Sequence, residues 1–441
     1  MLKKNLLFIF SILSGFIIAF SVTGCSDDDP VNTGNNTPNV LAAGTRGQDR
    51  TLSADSTYTL TGFYLVEPGT TLTIPAGTVI KGSPGSAIIA TRGDGTLPSG
   101  QIIAEGTSDN PVVFTSDRPE GSRDRGNWGG IVMSGLSDLN VPGGFGVGEG
   151  GVGEYGYGGI LSSPKMDDNS GRLRYCRIEY GGTRIAADNE INGLTLNAVG
   201  NGTTIEYVQT HMIADDGFEW FGGTVNAKYL VSSGNDDDAF DMDLGFNGDC
   251  QYLFVMQADD KADRGFEVNN DGDGSDNEPY TSARVANVTI IGGDDTKNDG
   301  FYLRGNNRLK IWNAVVTNVR YAVAVDADNT NQNAVKGDLF VKNSLLNGST
   351  NSYITRTKVD GKNTFIDAIY QAVADSDWHN TIGDPQLRST NFEDPDPRPQ
   401  NGAAKGIGTP PSGLEPANYA GAFDPDASSL WIAGWTNFKK N

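Results

Sequence analysis

The 441-residue chain carries 33 Lys and Arg against 55 Asp and Glu, a formal charge of −22, and only 2 His and 3 Cys. That negative balance repels phosphate backbones and excludes nucleic acid as a partner, while so few soft ligands exclude a His/Cys zinc centre and leave only oxygen donors for a structural metal. The 58 glycines are spread between short β-branched and aromatic runs, a pattern that predicts an all-β chain of many short strands, built as one long solenoid rather than two compact domains.

At the start of the chain, Lys3 and Lys4 precede an apolar stretch from Leu6 to Val22, followed by Val22-Thr23-Gly24-Cys25. This order predicts a signal peptide over residues 1–24. It resembles a bacterial lipoprotein signal, which implies a lipid on Cys25. Ser26-Asp27-Asp28-Asp29 resembles an acidic export tag, so the expected location is the cell-surface side of an outer membrane. Residues 25–45, with Asn, Thr, Gly and Pro after the acidic run, are expected to form a flexible tether.

The solenoid is expected over 46–390, with its first clear strands between Tyr58 and Ile80, where turn signals fall at Pro68-Gly69 and Pro75-Ala76-Gly77. The glycine-rich stretch 143–159 reads as a mobile loop. Cys176 and Cys250 would lie three coils apart, too far for a disulfide, and are expected to be buried thiols. His211, in a predicted strand with no Ser or Cys motif beside it, is expected to be a structural histidine.

A phrase then recurs: DDGFEWF at 215–221, DDAFDMD at 237–243, DRGFEVN at 263–269, NDGFYLR at 298–304 and, more weakly, YAVAVD at 321–326. From Phe218 to Phe240, Phe266, Phe301 and Val323 the steps are 22, 26, 35 and 22 residues, periods that mark stacked coils. Strand alternation puts those residues in one inward column and Trp220, Met242, Val268, Leu303 and Val325 in another. The alternate positions form two outward columns, one of Glu219, Asp241, Glu267 and Tyr302, the other of Phe221, Asp243, Asn269, Arg304 and Asp326. A second repeated strand aligns Asn287, Asn313 and Asn343, predicting an asparagine ladder whose amides bond from coil to coil. The 35-residue step contains NNDGDGSDNEP at 269–279, which must leave the coil as a loop. Ile366, Ile369, Tyr370 and Val373 share a helical face and predict one short helix, and the tail 391–441 is expected to pack on or cap the coils.

TLTIPAGTVIKG (71–82), GNWGGIVMSG (126–135), LRYCRIEYGG (173–182), ADDGFEWFGGTVNAKYLV (214–231) and the ending GAFDP…WIAGWT resemble a family of bacterial surface lipoproteins with a right-handed parallel β-helix, within the pectin-lyase-like superfamily. The resemblance covers residues 55–440 and implies the fold; it says little of activity. The pectin-degrading hydrolases of this fold also carry a Gly-His-Gly and an Arg-x-Lys segment, and neither follows the aspartates here.

The aligned carboxylates are the candidate chemistry. Strands one coil apart lie about 4.8 Å from each other, and two unit charges at that distance repel by about 1 kcal/mol in water and several kcal/mol at the interface of a protein. Solvent, a bound cation or a raised pKa must relieve that repulsion. Ca²⁺ is the expected ion, with Asp216, Glu219, Asp238, Asp241, Asp243, Asp263 and Glu267 as ligands. Asn269, Asp271, Asp273 and Gly274 also match the start of an EF-hand loop, although Tyr280 stands where the closing Glu belongs. Glu219, Phe221, Tyr302 and Arg304 are the candidate ligand-binding residues, and Trp128, Tyr155 and Tyr157 could stack on sugars if exposed, although burial is expected for Trp128 and Trp220. The leading expectation is a monomeric surface protein that binds a glycan or another surface protein without catalysis; a structural adhesin is a further alternative. The enzymatic alternatives are a glycoside hydrolase pairing Asp215 or Asp216 with Asp237 or Asp238, and a lyase using Arg264, Arg304 or Lys261 as base.

Overall fold

A strand of four or five apolar and small residues cannot bury its inner face alone, so each must pair with its equivalent one coil away. The structure, a computed structural model, describes residues 39–148, 156–159, 163–186, 189–294 and 296–441. Cys25 and the acidic segment after it lie outside them. Twenty-four strands join in one sheet that winds as a parallel β-helix, and two strand pairs form small separate sheets; within the large sheet, among the described residues, only the hairpin of Leu345–Val359 with Lys362–Asp367 is antiparallel.

The register predicted from the repeats is the register observed. Phe218 pairs with Phe240, Phe240 with Phe266, Phe266 with Phe301 and Phe301 with Val323. Successive rings stand 5.2, 5.0 and 5.0 Å apart, and all are buried together with Trp220, Met242, Val268 and Leu303. Each such aromatic pair adds about 0.5–1.5 kcal/mol to what burial of the rings contributes. Upstream the same column continues through Leu194, Ile131 and Ile88.

A second column turns the corner between the other two faces of the coil. Tyr175, Tyr207, Tyr229, Tyr252, Asn287, Asn313 and Asn343 occupy equivalent positions, and all are left-handed, with φ between 49° and 60°. Asn tolerates that conformation through its short polar side chain. The tyrosines stack instead, with ring centroids 4.3, 4.4 and 4.8 Å apart. The asparagines do align, and Asn287 Oδ1 accepts from Gln251 Nε2 one coil away at 3.0 Å, but the amide N–H groups of Asn287 and Asn313 turn to the tail. Asn287 Nδ2 donates to the Tyr419 and Gly421 carbonyls and Asn313 Nδ2 to those of Gly408 and Ala417, because the C-terminal tail runs along this corner. Trp435 meets Tyr175 and Tyr207 edge-on, Trp431 meets Tyr229, and Phe423 meets Phe254.

Other expectations need correction. Val40–Arg46, read as part of the tether, is a strand paired with Thr57–Val66. Ile366 lies in the strand Lys362–Asp367, and the helix spans only Gln371–Asp377, with Tyr370 capping it. A further helix, Asp328–Lys336, was not anticipated. Of the glycine-rich stretch, Tyr155 and residues 149–154 lie outside the described residues, whereas Gly146 and Tyr157 exchange a pair of backbone hydrogen bonds. Cys176 and Cys250 are free and buried; burial pushes the Cys176 thiol up to about 12. His211 is fully buried, with Nδ1 2.9 Å from Ser233 Oγ and Nε2 2.8 Å from the Lys439 carbonyl oxygen.

Candidate functional site: a carboxylate ledge

The strand phrase begins with two acids because the turn before each strand needs a hydrogen-bond acceptor. Asp216 Oδ1 accepts the Asp238 N–H at 2.9 Å, and Asp238 Oδ1 accepts the Arg264 N–H at 2.8 Å, one coil further on. One oxygen of each carboxylate therefore ties coil to coil, and the other oxygen of Asp238 lies 3.6 Å from Arg264. With Glu219 and Asp241 on the next outward position, the result is a ledge of acids along the phenylalanine face.

Three overlapping groups have carboxylate oxygens within 4.8 Å of one another: Asp215, Asp216 and Asp237; Asp216, Glu219 and Asp241; and Asp237, Asp238 and Asp263. Asp216, Glu219 and Asp238 are buried, while Asp237 is exposed. Burial raises Asp216 well above the ordinary carboxylate range, with Asp238 and Asp241 adding to the effect. Asp241 is raised by burial and then by Glu219 and Glu267. Asp238 is raised by burial and by Glu267, against the pull of Arg264. Asp243 is pushed up to about 6, mainly by burial, although it accepts the Leu244 N–H.

The cations sit at one end of this ledge. Arg264 reaches Asp263 and Glu267, each at 2.6 Å, and Asp238 at 3.6 Å, and Arg304 reaches Glu267 at 2.9 Å. Burial would lower the Arg264 pKa, but Asp238, Glu267 and Asp263 together raise it. Lys261 is tied to Asp236 at 2.6 Å. The group formed by Asp216, Glu219 and Asp241 lies at the other end. Beside it stands Asn192, two positions before Leu194 just as Asp216 is two before Phe218. Asn192 is 1% exposed. Its Nδ2 donates to Glu219, and its Oδ1 has no hydrogen-bond partner, as is also true of Asp241 Oδ1. A buried amide oxygen without a donor is costly, and three carboxylates with a free amide oxygen form a set of hard donors that suits Ca²⁺.

Several predicted site residues do not join this ledge as expected. Phe221 is buried beneath Leu139 and Tyr157, so its ring offers no platform to a sugar. Tyr302 is 1% exposed: its hydroxyl donates to Asp326 at 2.6 Å, and Arg264, Arg356 and Arg304 surround its ring at 4.4, 5.0 and 6.0 Å. Trp128 and Trp220 are buried as expected, the former donating to the Glu179 carbonyl. The EF-hand-like loop spends its key carboxylate on itself, since Asp271 Oδ1 accepts the N–H groups of Asp273 and Ser275 and its Oδ2 takes the Ser275 hydroxyl. Asn192 escaped the sequence reading because the repeat was not carried one coil upstream, where GLTLN stands in register with GFEWF.

With fold and ledge in place, comparison with known families is decisive at the level of architecture. Residues 44–384 match the pectate-lyase-like beta helix domain. The chain belongs to that family. Neither the curated proteins nor the solved structures contain a significant match. In this pectate-lyase-like β-helix the tail lies along the tyrosine corner, and its end reaches the turn before Asp263, where Lys440 meets Asp259 at 2.6 Å. No helix among the described residues is long and apolar enough to cross a membrane.

Proposed function

We propose that this β-helix is held at the cell surface by a lipid on Cys25 and binds a glycan or another surface partner, without catalysis, through a Ca²⁺ ion on the ledge. The observation that carries the reading is the group of Asp216, Glu219 and Asp241, whose oxygens lie within 4.8 Å of one another beside the unpartnered Asn192 Oδ1. Three carboxylates and one amide leave an ion that takes six to eight oxygens with open positions, which the hydroxyls or carboxylates of a glycan can fill.

The test is to present uronate and neutral polysaccharides to the protein with calcium or with a chelator. Retention that needs calcium and leaves the polymer intact is expected. New reducing ends would replace this reading with the hydrolase alternative, and unsaturated products with the lyase alternative. Substituting Cys25→Ala is expected to move the protein from the membrane to the soluble fraction; a variant that stays membrane-bound would contradict the anchor.

A further inference from the structure

Just before the tyrosine corner, the outward positions of successive coils face a loop of the C-terminal tail across a cleft of about 320 Å³. Thr204 and Asn226 hold one outward position, and Glu206, Lys228 and Gln251 hold the next. Both walls are fixed. The coil side is paired backbone, and Gln251 clasps the tail, its Oε1 accepting the Glu415 N–H at 2.7 Å and its Nε2 donating to the Glu415 carbonyl at 2.8 Å. Arg284 donates to the Ser412 carbonyl at 3.1 Å, and Lys228 reaches the Glu415 carboxylate at 2.8 Å. Between these walls polar groups keep capacity to bond. Asn226 Oδ1 accepts the Asp249 N–H at 2.9 Å, which leaves its Nδ2 to donate. Glu206 meets Arg174 at 3.7 Å and Lys228 at 3.6 Å, contacts too long for hydrogen bonds, so its oxygens can accept. The Thr204 hydroxyl both donates and accepts.

We propose that this cleft binds a neutral hexopyranose unit of a glycan, without calcium. A sugar hydroxyl both donates and accepts, so it needs the two kinds of partner side by side, as the Glu206 carboxylate and the Lys228 ammonium stand on neighbouring coils. Equivalent positions are one coil apart, about 4.8 Å. Equatorial hydroxyls on alternate carbons of a pyranose chair have nearly the same spacing, so two of them can meet two coils at once, with the half-buried Leu414 beside the C–H face. The size lies within the roughly 300–1,000 Å³ of small-molecule sites. Charge selects against other sugars. Among the described residues, Glu206, Asp249 and Glu415 line the cleft with a single lysine, Lys228; Arg284 neutralises Asp249 at 2.5 Å, but the balance stays unfavourable to a uronate or a phosphate. Arg174 and Lys228 beside Glu206 disfavour the ammonium of an amino sugar. The cleft lies on the strands Thr204–His211, Asn226–Ser233 and Asp249–Met256, apart from the carboxylate ledge, and does not depend on calcium there.

Saturation-transfer NMR on the full chain tests this with methyl β-D-glucopyranoside, whose ring hydroxyls are all equatorial, in the presence of a chelator. Saturable transfer is expected, with glucuronate and glucosamine each binding more weakly. Glu206→Ala is expected to weaken the glucoside about tenfold or more, the loss of a hydrogen bond to a charged group, and Thr204→Val about two- to tenfold, the loss of a neutral one, each with unchanged thermal unfolding. The Asp216→Asn/Asp241→Asn variant, altered only on the ledge, is expected to bind the glucoside as the native chain does. Absence of saturable transfer, a preference for glucuronate or glucosamine, or binding that either cleft substitution leaves unchanged would each overturn the proposal. Binding that requires calcium and disappears in the ledge variant would also overturn it, while leaving the reading of the ledge intact.

Discussion

Burial gives the acids of the ledge their chemistry. Asp243 illustrates this, since its pKa is pushed up to about 6. Between the ordinary carboxylate range and that value the folded chain holds a proton that the unfolded chain has lost. The contribution of Asp243 to stability is therefore greatest in acid and is lost as pH rises through about 6. Asp216, Asp238 and Asp241 are raised in the same direction. Urea unfolding without calcium is thus expected to show stability falling from pH 5 to pH 7, and Asp243→Asn to flatten part of that slope. A rising slope would contradict the assigned burial. The paired acids were legible in the sequence as candidate chemistry, but their coil-to-coil bonds to Asp238 and Arg264 N–H were not, because side chain and backbone there are 22 and 26 positions apart. For the same reason Phe221 and Tyr302 read as exposed: alternation points a side chain outward but does not reveal the insertion or the arginines that cover it.

At the scale of elements, the recurring phenylalanine column determines how coils stack. Phe240 meets Phe218, Phe266 and Trp220 at 5.2, 5.0 and 6.2 Å, so Phe240→Ala removes three ring contacts and leaves a cavity. A loss of about 3–5 kcal/mol is expected by denaturant titration, and a loss under about 1 kcal/mol would mean that the coils do not share one packed column. This column was legible because each copy lies in a phrase with fixed spacing. The tyrosine column went unread although its residues stand in RYCRIEY, EYVQTH, KYLVSS and QYLFVM, and its role depends on a tail more than 150 residues further along, as the 164-residue span from Gln251 to Glu415 shows. The helix read from Ile366 to Val373 began too early for a physical reason: Lys362–Asp367 pairs with the strand before it, and pairing across a hairpin outweighed a short helical period.

For the molecule as a whole, a family of stacked coils was readable because a recurring strand phrase imposes the same local geometry on each coil, and the match over residues 44–384 agrees with it. Insertions break that logic, so their paths over the surface were not readable. Acids on successive coils come within 4.8 Å of one another at the ledge, and a cation bound there would relieve their repulsion without dismantling the stack. Thermal unfolding of the full chain during a calcium titration is the direct measurement. The melting temperature is expected to climb with calcium, reaching about 2.7 kcal/mol of added stability at a hundred times Kd, and to stay flat in the Asp216→Asn/Asp241→Asn variant. An identical melting temperature in calcium and in chelator, or an equal rise in that variant, would contradict the account.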